Sequence, residues 1–255
     1  MNLIDTHCHL YLDEFKPDIA AVIERAQAVG VSRFYLPAID SSETDNMFAL
    51  EQAYPGVCIP MMGLHPCYVK ENWEKELALV GEWLAKRPFA AIGEIGLDFY
   101  WDKTFTDQQY TVFRQQMQWA LDRHMPIVIH SRNAMQETIE TVKPYAEKGL
   151  RGIFHCFSGD ADAARQVTAL GFLLGIGGVI TYKNGGLDKA LADIPLESLV
   201  LETDAPYLAP VPNRGKRNES AYLQPIIEKL AQVKNRPVEA VAAITTANAE
   251  KIFGS

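Results

Sequence analysis

The sequence predicts a single (β/α)8 barrel of the α/β class, and two observations carry this prediction. Eight short apolar runs recur along the 255 residues, with segments of helical spacing between them. The apolar runs are continuous instead of alternating, which is typical of parallel strands covered on both faces. Eight strand–helix units in about 250 residues match the length of this barrel. We therefore expect one domain over residues 1–255, with its functional site at the C-terminal ends of the strands.

The apolar runs fix the predicted strands. They lie at residues 3–4, 34–39, 57–62, 89–92, 127–129, 153–154, 172–176 and 199–201. A doubly wound open sheet is the alternative fold. No G-x-G-x-x-G follows the first run, so nothing favours a dinucleotide-binding sheet.

Four helices can be justified from the residues between the strands. Apolar positions over 19–26 lie on one helical face, and Gly30 is typical of the end of such a helix. A second helix over 110–121 is preceded by Thr106 and Gln109, which predict a capping box. A third covers 223–230, and Pro237 suits the first turn of a last helix.

Composition and charge exclude several classes of protein. The chain is 48% hydrophobic and 22% charged, which is ordinary for a globular protein. A net charge of -8 argues against a protein that coats nucleic acid with its whole surface, but it permits one basic groove. The four cysteines form no C-x-x-C pair, and the chain begins without a basic-then-apolar signal. We expect a cytoplasmic protein with no membrane partner and no obligate protein partner.

Most of the histidines follow predicted strands. His7 and His9 follow the first strand, His65 the third, His130 the fifth and His155 the sixth. Only His124 does not, and it is expected at a helix end. Because the C-terminal ends of barrel strands meet at one face, the other five should converge there.

Two carboxylates belong to the same set: Glu94 follows the fourth strand and Asp204 the eighth. In His7-x-His9 the strand period of two places both imidazoles on one side. Imidazoles and carboxylates bind first-row transition metals, and these residues exceed the ligands that one tetrahedral ion needs. We therefore expect two divalent cations bridged by Glu94, and hydrolysis as the reaction class. Zinc, manganese, iron and magnesium all stay open, although imidazole-rich ligation suits magnesium least.

Other residues compete for these roles. Asp98 on the fourth strand is a rival metal ligand, and Glu202 shares strand parity with Asp204, so either could be the acid in the site. Cys156 could be a soft ligand, whereas Cys8 would point away from its neighbours and is expected to pack in the core. His65 taken alone is as consistent with a structural role as with a functional one.

Seven motifs in order, mostly one per strand end, resemble the TatD family of metal-dependent hydrolases in the amidohydrolase superfamily. They are DTHCH at 5–9, GLHP at 63–66, IGEIGLD at 92–98, IHSR at 129–132, HCFSG at 155–159, ETDAPYL at 202–208 and PVPNRGKRN at 210–218. The resemblance spans nearly the whole chain. It implies a barrel with a binuclear metal centre and an exonucleolytic deoxyribonuclease activity, in which a metal-activated water cleaves phosphodiester bonds.

The resemblance also implies roles by position. The first metal would be held by His7, His9 and Glu94 with Asp204 beside it, and the second by Glu94, His130 and His155. As catalytic residues, Asp204 would take the proton of the water and Glu94 would bridge the metals. His65 would protonate the leaving oxygen or bind a phosphate.

A phosphate substrate has partial support from basic residues. Arg214, Lys216 and Arg217 follow the eighth strand, and Arg132 lies two residues beyond His130. Arginine suits bidentate phosphate contacts, although a solvated basic loop explains three of these residues equally well. DNA, single-stranded or at an end, is the expected substrate. Aromatic residues that could stack its bases, or simply pack in the core, are Tyr68, Phe99, Tyr100 and Trp101.

Two alternatives stay open. A metal-dependent hydrolase of a C–N or ester bond in a small metabolite would use the same barrel and metals, with the basic loop incidental. A metal-binding or partner-binding protein without catalysis would turn over neither phosphodiesters nor esters.

Overall fold

The structure, a computed structural model, describes residues 1–254 and contains eight parallel strands. They are β1 (Leu3–Asp5), β2 (Val31–Leu36), β3 (Cys58–Pro60), β4 (Ile92–Asp98), β5 (Ile127–Arg132), β6 (Gly152–Phe154), β7 (Leu173–Ile176) and β8 (Leu199–Leu201). Each overlaps one of the eight apolar runs, which confirms the predicted strand positions. The largest difference is at β4, which begins where the predicted strand ends.

The strands are arranged as a (β/α)8 barrel. They pair in the order β1-β2-β3 and β4-β5-β6-β7-β8, and every pairing is parallel. Backbone hydrogen bonds cross both gaps between these two groups. Gly93 N donates to Met62 O at 3.0 Å, and Thr6 N donates to Leu201 O at 3.1 Å. The predicted fold class is therefore confirmed.

Nine α-helices alternate with the strands within residues 1–254. They are α1 (Ile19–Ala28), α2 (Thr44–Ala53), α3 (Trp73–Lys86), α4 (Thr106–Arg123), α5 (Met135–Ala146), α6 (Ala161–Ala169), α7 (Leu187–Leu191), α8 (Leu223–Lys234) and α9 (Val238–Phe253). Gly30 takes a φ of +98° just beyond α1, and Pro237 immediately precedes α9, in line with the sequence prediction. His124 ends α4 with a φ of +54°, also as predicted.

The predicted capping box at α4 was wrong. Within residues 1–254 no side chain caps this helix, and Thr106 is already its first residue. The side chain of Gln109 is buried against the end of β4 instead. Its Oε1 accepts from Asp98 N at 2.9 Å, and its Nε2 donates to Asp98 O at 3.1 Å. These bonds satisfy the backbone at the end of β4 and fix the position of the Asp98 side chain.

Two apolar clusters form the core. The larger one fills the space between strands and helices. The smaller one draws residues from strands all around the barrel and from α9, so it lies inside the barrel. Its members Val128, Ile153 and Val200 each come two residues before His130, His155 or Glu202, so the strand period of two directs the polar side chains into the same interior. Phe253 of α9 stacks on Tyr35 of this cluster with ring centroids 3.8 Å apart.

The four cysteines, all within residues 1–254, are free thiols. Cys8 is fully buried and its Sγ faces Tyr35 O at 3.7 Å, so it packs in the core as expected. Within residues 1–254, none of the helices combines the length and the apolarity needed to cross a bilayer.

Candidate metal centre and active site

The C-terminal ends of the strands surround a cleft of about 690 Å³. Its polar lining includes His9, His65, Glu94, Asp98, His130, His155 and Asp204. His7 is fully buried, and its ring stacks on that of His155 with centroids 3.7 Å apart. The structure thus brings together the residues that the sequence predicted to converge. Glu94 lies within β4 instead of after it, because β4 continues to Asp98 and pairs with β5 as far as Arg132.

Close approach of β4 and β5 explains one glycine of the IGEIGLD motif. Gly96 has a φ of +149° and pairs with His130. A Cβ at this position would overlap the carbonyl group of His130. Only glycine lets the two strands carry Glu94 and His130 this close together.

Glu94 lies at the centre of the cluster. Its Oε2 is 3.1 Å from His7 Nε2 and 3.6 Å from His9 Nε2. Its Oε1 is 3.2 Å from His65 Nε2, 3.0 Å from His130 Nδ1 and 2.9 Å from His155 Nε2. Burial favours the neutral acid, but the surrounding imidazoles outweigh it and hold the pKa of Glu94 well below its ordinary value. Glu94 is therefore an anion whose two oxygens face two different groups of imidazoles.

Asp204 faces the first of these groups. Its Oδ1 is 3.7 Å from His7 Nε2 and 3.6 Å from His9 Nε2. The residue has a φ of +58°, a conformation that few residues other than glycine adopt and that is often found at active sites. Burial opposes ionisation of Asp204, yet the hydrogen bond with His9 and the charges of His155 and His7 lower its pKa.

The donor atoms around His7 and His9 suit a cation. The Tyr11 hydroxyl donates to Pro37 O at 2.5 Å, so it accepts from His9 Nδ1 at 2.9 Å. The proton of His9 is therefore on Nδ1, and its Nε2 presents a lone pair toward His7 Nε2 at 3.3 Å. Nitrogens of His7 and His9 thus converge with oxygens of Glu94 and Asp204. These are donor atoms that a bound metal ion would stabilise in this arrangement.

His130 and His155 each have a carboxylate behind them. Asp98 Oδ2 is 2.8 Å from His130 Nε2, which leaves Nδ1 of that ring toward Glu94. Glu202 Oε1 is 3.4 Å from His155 Nδ1, which leaves Nε2 toward Glu94. Burial lowers the pKa of His130, but its hydrogen bonds with Asp98 and Glu94 outweigh burial and raise it. A carboxylate in this position orients a ligating imidazole and increases its basicity.

These contacts separate the rival residues that the sequence left open. Asp98 stands behind His130, with its Oδ1 held by the backbone N–H groups of Tyr100 and Trp101 at 2.9 and 3.1 Å. Glu202 is fully buried and accepts from Cys156 N, whereas Asp204 lines the cleft. Of this acid pair, Asp204 is therefore the one whose side chain faces the cleft.

The sets of residues that could hold a metal overlap at shared histidines and at Glu94. They are His7 with His9 and Glu94, His7 with His155 and Asp204, Glu94 with His130 and His155, and His65 with Cys67 and His130. In each set the ligand atoms lie within 4.8 Å of one another. Three of the four sets consist of residues that the sequence predicted as metal ligands.

His65 differs from the other histidines in its hydrogen bonding. Its Nδ1 accepts from the backbone N–H of Cys67 at 3.0 Å, so the ring proton is on Nε2. This N–H points to Glu94 Oε1, 3.2 Å away. Burial lowers the pKa of His65, and the charge of Glu94 only partly offsets it. His65 is thus arranged as a neutral hydrogen-bond donor.

The predicted phosphate-binding residues are not all near the cleft. Arg132 lines it, with its guanidinium 4.0 Å from the Tyr100 ring centroid. Arg214 stacks on Tyr182 at 4.5 Å outside the cleft lining, and Lys216 is exposed. The guanidinium of Arg217 is directed away from the cleft, toward Asp18.

The guanidinium of Arg217 is paired with the carboxylate of Asp18 at 2.7 and 2.8 Å, and it also donates to Glu14 O at 2.6 Å. These bonds fasten the loop after β8 to the start of α1. A charge pattern alone could not reveal them, because Asp18 is 199 residues away in the sequence.

The sequence did not predict the roles of three supporting residues. Tyr11 continues the period of two from His9, which was the available signal. Asn218 is fully buried, and its Nδ2 donates to Thr203 O at 2.7 Å and Tyr207 O at 2.6 Å, on either side of Asp204. Asn218 is the last residue of the PVPNRGKRN motif, but nothing in that motif indicates these two hydrogen bonds.

Asp5, the first residue of the DTHCH motif, is a third residue whose role the sequence did not predict. It accepts from Thr203 N at 3.0 Å and from Thr203 Oγ1 at 2.6 Å, so it ties β1 to the residue before Asp204. Burial raises the pKa of Asp5 to about 6, against the hydrogen bonds that lower it.

Comparisons with known proteins agree with this geometry. The family model described as TatD related DNase matches residues 4–254. The chain is 37% identical over 252 residues to the uncharacterized metal-dependent hydrolase YabD of Bacillus subtilis, covering 98% of each. It is 32% identical over 258 residues to the 3'-5' ssDNA/RNA exonuclease TatD of Pantoea vagans, covering 98% of this chain and 99% of the relative.

A solved structure gives the same result. The TatD homolog YJJV of Escherichia coli superimposes with a TM-score of 0.93 at 28% identity, covering 99% of this chain and 98% of that one. The match with the family model over nearly all of the chain and the identity with curated relatives decide the assignment. This chain belongs to the TatD family of metal-dependent hydrolases.

Proposed function

We propose that the protein is a metal-dependent deoxyribonuclease that removes nucleotides from the ends of single-stranded DNA. The observation that carries the proposal is the central position of Glu94, whose two oxygens face separate groups of imidazoles below an open cleft. A two-ion site of this kind is suited to phosphodiester hydrolysis. The activity named for the Pantoea vagans relative supports the choice of substrate.

Two divalent cations fit the donor atoms. One set is His7, His9, Glu94 and Asp204, and the other is Glu94, His130 and His155. When bound, such ions would lower the pKa of a water molecule and polarise the scissile phosphate.

The side chains of the protein supply the proton transfers. The water oxygen forms the new bond to phosphorus, and its proton passes to the carboxylate of Asp204, which the lowered pKa keeps ionised. As the bond to the leaving oxygen breaks, that oxygen takes up the proton that Asp204 received, and the neutral ring of His65 donates a hydrogen bond from Nε2 to the phosphate. Arg132 on the rim offers planar donors to the phosphate and stabilises the charge of the transition state.

A second candidate function has one observation in its favour. Arg214, Lys216 and Arg217 do not line the cleft, so three of the four predicted phosphate contacts are absent from it. A hydrolase of a C–N or ester bond in a small metabolite would need none of them.

The test is hydrolysis of end-labelled single-stranded DNA by metal-stripped protein, with zinc, manganese and magnesium each added back. Asp204→Asn should reduce turnover by about 100-fold or more, because it removes the proton acceptor and keeps the side-chain shape. Asp45→Asn, at an exposed position on α2, is the matched control and should leave turnover unchanged. Circular dichroism and the melting temperature establish that each variant is folded.

The outcomes separate the two candidate functions. Release of nucleotides by the wild-type protein, but not by Asp204→Asn, supports the nuclease. Absence of DNA products with every ion, together with cleavage of small esters or amides, would establish the second candidate. Near-normal DNA hydrolysis by Asp204→Asn would refute the assigned role of Asp204.

A further inference from the structure

We propose that Tyr100, Trp101 and Arg132 form a binding site for an unpaired nucleobase of the strand whose phosphodiester lies in the cleft. We call these three residues the aromatic ledge. The proposal rests on the proposed function and adds to it the part of the protein that selects single strands.

Exposed apolar side chains are concentrated at the mouth of the cleft. Within residues 1–254, the large hydrophobic side chains that are exposed are Met1, Tyr68, Tyr100, Trp101, Tyr207, Leu208 and Val211. All except Met1 lie on loops that follow β3, β4 or β8, on the side of the barrel that carries the candidate metal ligands. Trp101 is 67% exposed and Tyr100 is 51% exposed. A cluster of exposed aromatic side chains marks a binding surface, because exposed apolar residues without such a role are scattered singly over the protein.

The ledge is held rigidly next to the candidate metal centre. One oxygen of Asp98 accepts from the backbone N–H groups of Tyr100 and Trp101, and the other oxygen faces His130 Nε2 at 2.8 Å. Farther along the same loop, Lys70 Nζ is bonded to Asp102 Oδ2 at 2.7 Å. A ligand that stacks on the ledge therefore has a fixed position relative to His130, and little loop entropy is lost when it binds.

The chemistry of the ledge matches a base that carries a phosphate. Arg132 lies 4.0 Å from the Tyr100 ring and 5.2 Å from the Trp101 ring. Within residues 1–254 its guanidinium has no carboxylate or hydrogen-bond partner, whereas Arg87 is paired with Glu51. The donors of Arg132 are thus available to a phosphate, while Trp101 offers a ring face to a base.

This arrangement favours unpaired bases. In a duplex each base already stacks between its neighbours and is not free to lie on a protein ring. In a single strand the base can leave its neighbours, and stacking on an aromatic side chain tolerates any sequence. We expect the ledge to bind one base near the scissile phosphodiester and to discriminate against duplex ends.

The experiment compares Trp101→Ala with Trp101→Phe on single-stranded oligonucleotides. Affinity is measured by fluorescence anisotropy in EDTA, and KM is measured with the activating ion. Trp101→Ala should weaken both by about 5- to 150-fold, and Trp101→Phe should change them little, because phenylalanine keeps a ring face. Tyr145→Ala, on α5 outside the cleft lining, is the matched control and should leave both unchanged.

An abasic nucleotide at each of the last three positions provides a double-mutant cycle. At the position that the ledge contacts, removal of the base should weaken binding by wild-type protein and leave Trp101→Ala unaffected. Equal loss in both proteins at every position would overturn the proposal, as would wild-type affinity of Trp101→Ala for the normal strand.

Failure of the proposed function looks different. If the wild-type protein cleaves no strand with any ion, the nuclease is wrong whatever Trp101 does. If it cleaves single and double strands equally and Trp101→Ala cleaves both as well as wild type does, the nuclease stands and the ledge is wrong.

Discussion

Asn218 provides the most direct test of how the loop after β8 positions Asp204. Its Nδ2 donates to Thr203 O and Tyr207 O, and its Oδ1 accepts from Glu219 N at 2.9 Å. Asn218→Ala leaves Thr203 O and Glu219 N buried without these partners. At about 1–2 kcal/mol for each group, the free energy of unfolding should fall by about 2–4 kcal/mol. Because Asp204 is held at a φ of +58° between these contacts, ion binding and turnover should also weaken.

Asn248 is a matched control for this prediction. Its Nδ2 donates to Leu196 O and Leu199 O, both at 2.8 Å, at the other end of β8. Asn248→Ala should lose similar stability and keep its ion affinity. Stability is measured by urea unfolding, and ion affinity by titration calorimetry with manganese or zinc. If Asn218→Ala is destabilised like Asn248→Ala and keeps wild-type ion affinity and turnover, Asn218 does not position Asp204.

Two further predictions concern carboxylates outside the cluster's centre. Asp98→Asn replaces the carboxylate that faces His130 Nε2 with an amide, which favours the ring proton on Nδ1. The variant should therefore bind metal ions about 10- to 100-fold more weakly in calorimetry. Unchanged affinity would show that Asp98 does not orient His130. Hydrogen bonds from Arg217 lower the pKa of Asp18 in the folded protein. The pair therefore stabilises the fold at a pH above the unfolded-state pKa of aspartate. This stabilisation is lost as the pH falls through the lower folded-state pKa. Asp18→Asn should therefore flatten the acid side of a plot of unfolding free energy against pH. The change should be less than about 1 kcal/mol, because the carboxylate is 37% exposed. An unchanged plot would contradict the pairing of Asp18 with Arg217.

The sequence was informative where position along the chain determines position in space. Residues at the ends of parallel strands must meet in a barrel, whatever the helices between them do. For this reason His7, His130 and Asp204 could be grouped although up to 197 residues separate them. The same geometry gave the strand count and the placement of the cleft.

The sequence was uninformative where a side chain has several partners within reach. Arg217 lies only a few residues from Arg214, yet it is paired with Asp18 and not directed at the cleft. Gln109 has the spacing of a capping residue, but the end of β4 offers it two buried backbone groups instead. Such choices depend on tertiary contacts that local patterns do not contain.

The roles of the histidines follow from the group behind each ring. The five histidines of the cluster have equivalent places in the sequence, after or at the end of a strand. The Tyr11 hydroxyl accepts a hydrogen bond from Nδ1–H of His9, which leaves Nε2 of that ring free to bind a cation. Behind His65 the partner is a donor, the backbone N–H of Cys67, which forces the ring proton onto the nitrogen that faces the cleft. The direction of one hydrogen bond therefore makes His9 a suitable metal ligand and His65 a hydrogen-bond donor, and a substitution that reverses that direction should exchange these two roles without moving the ring.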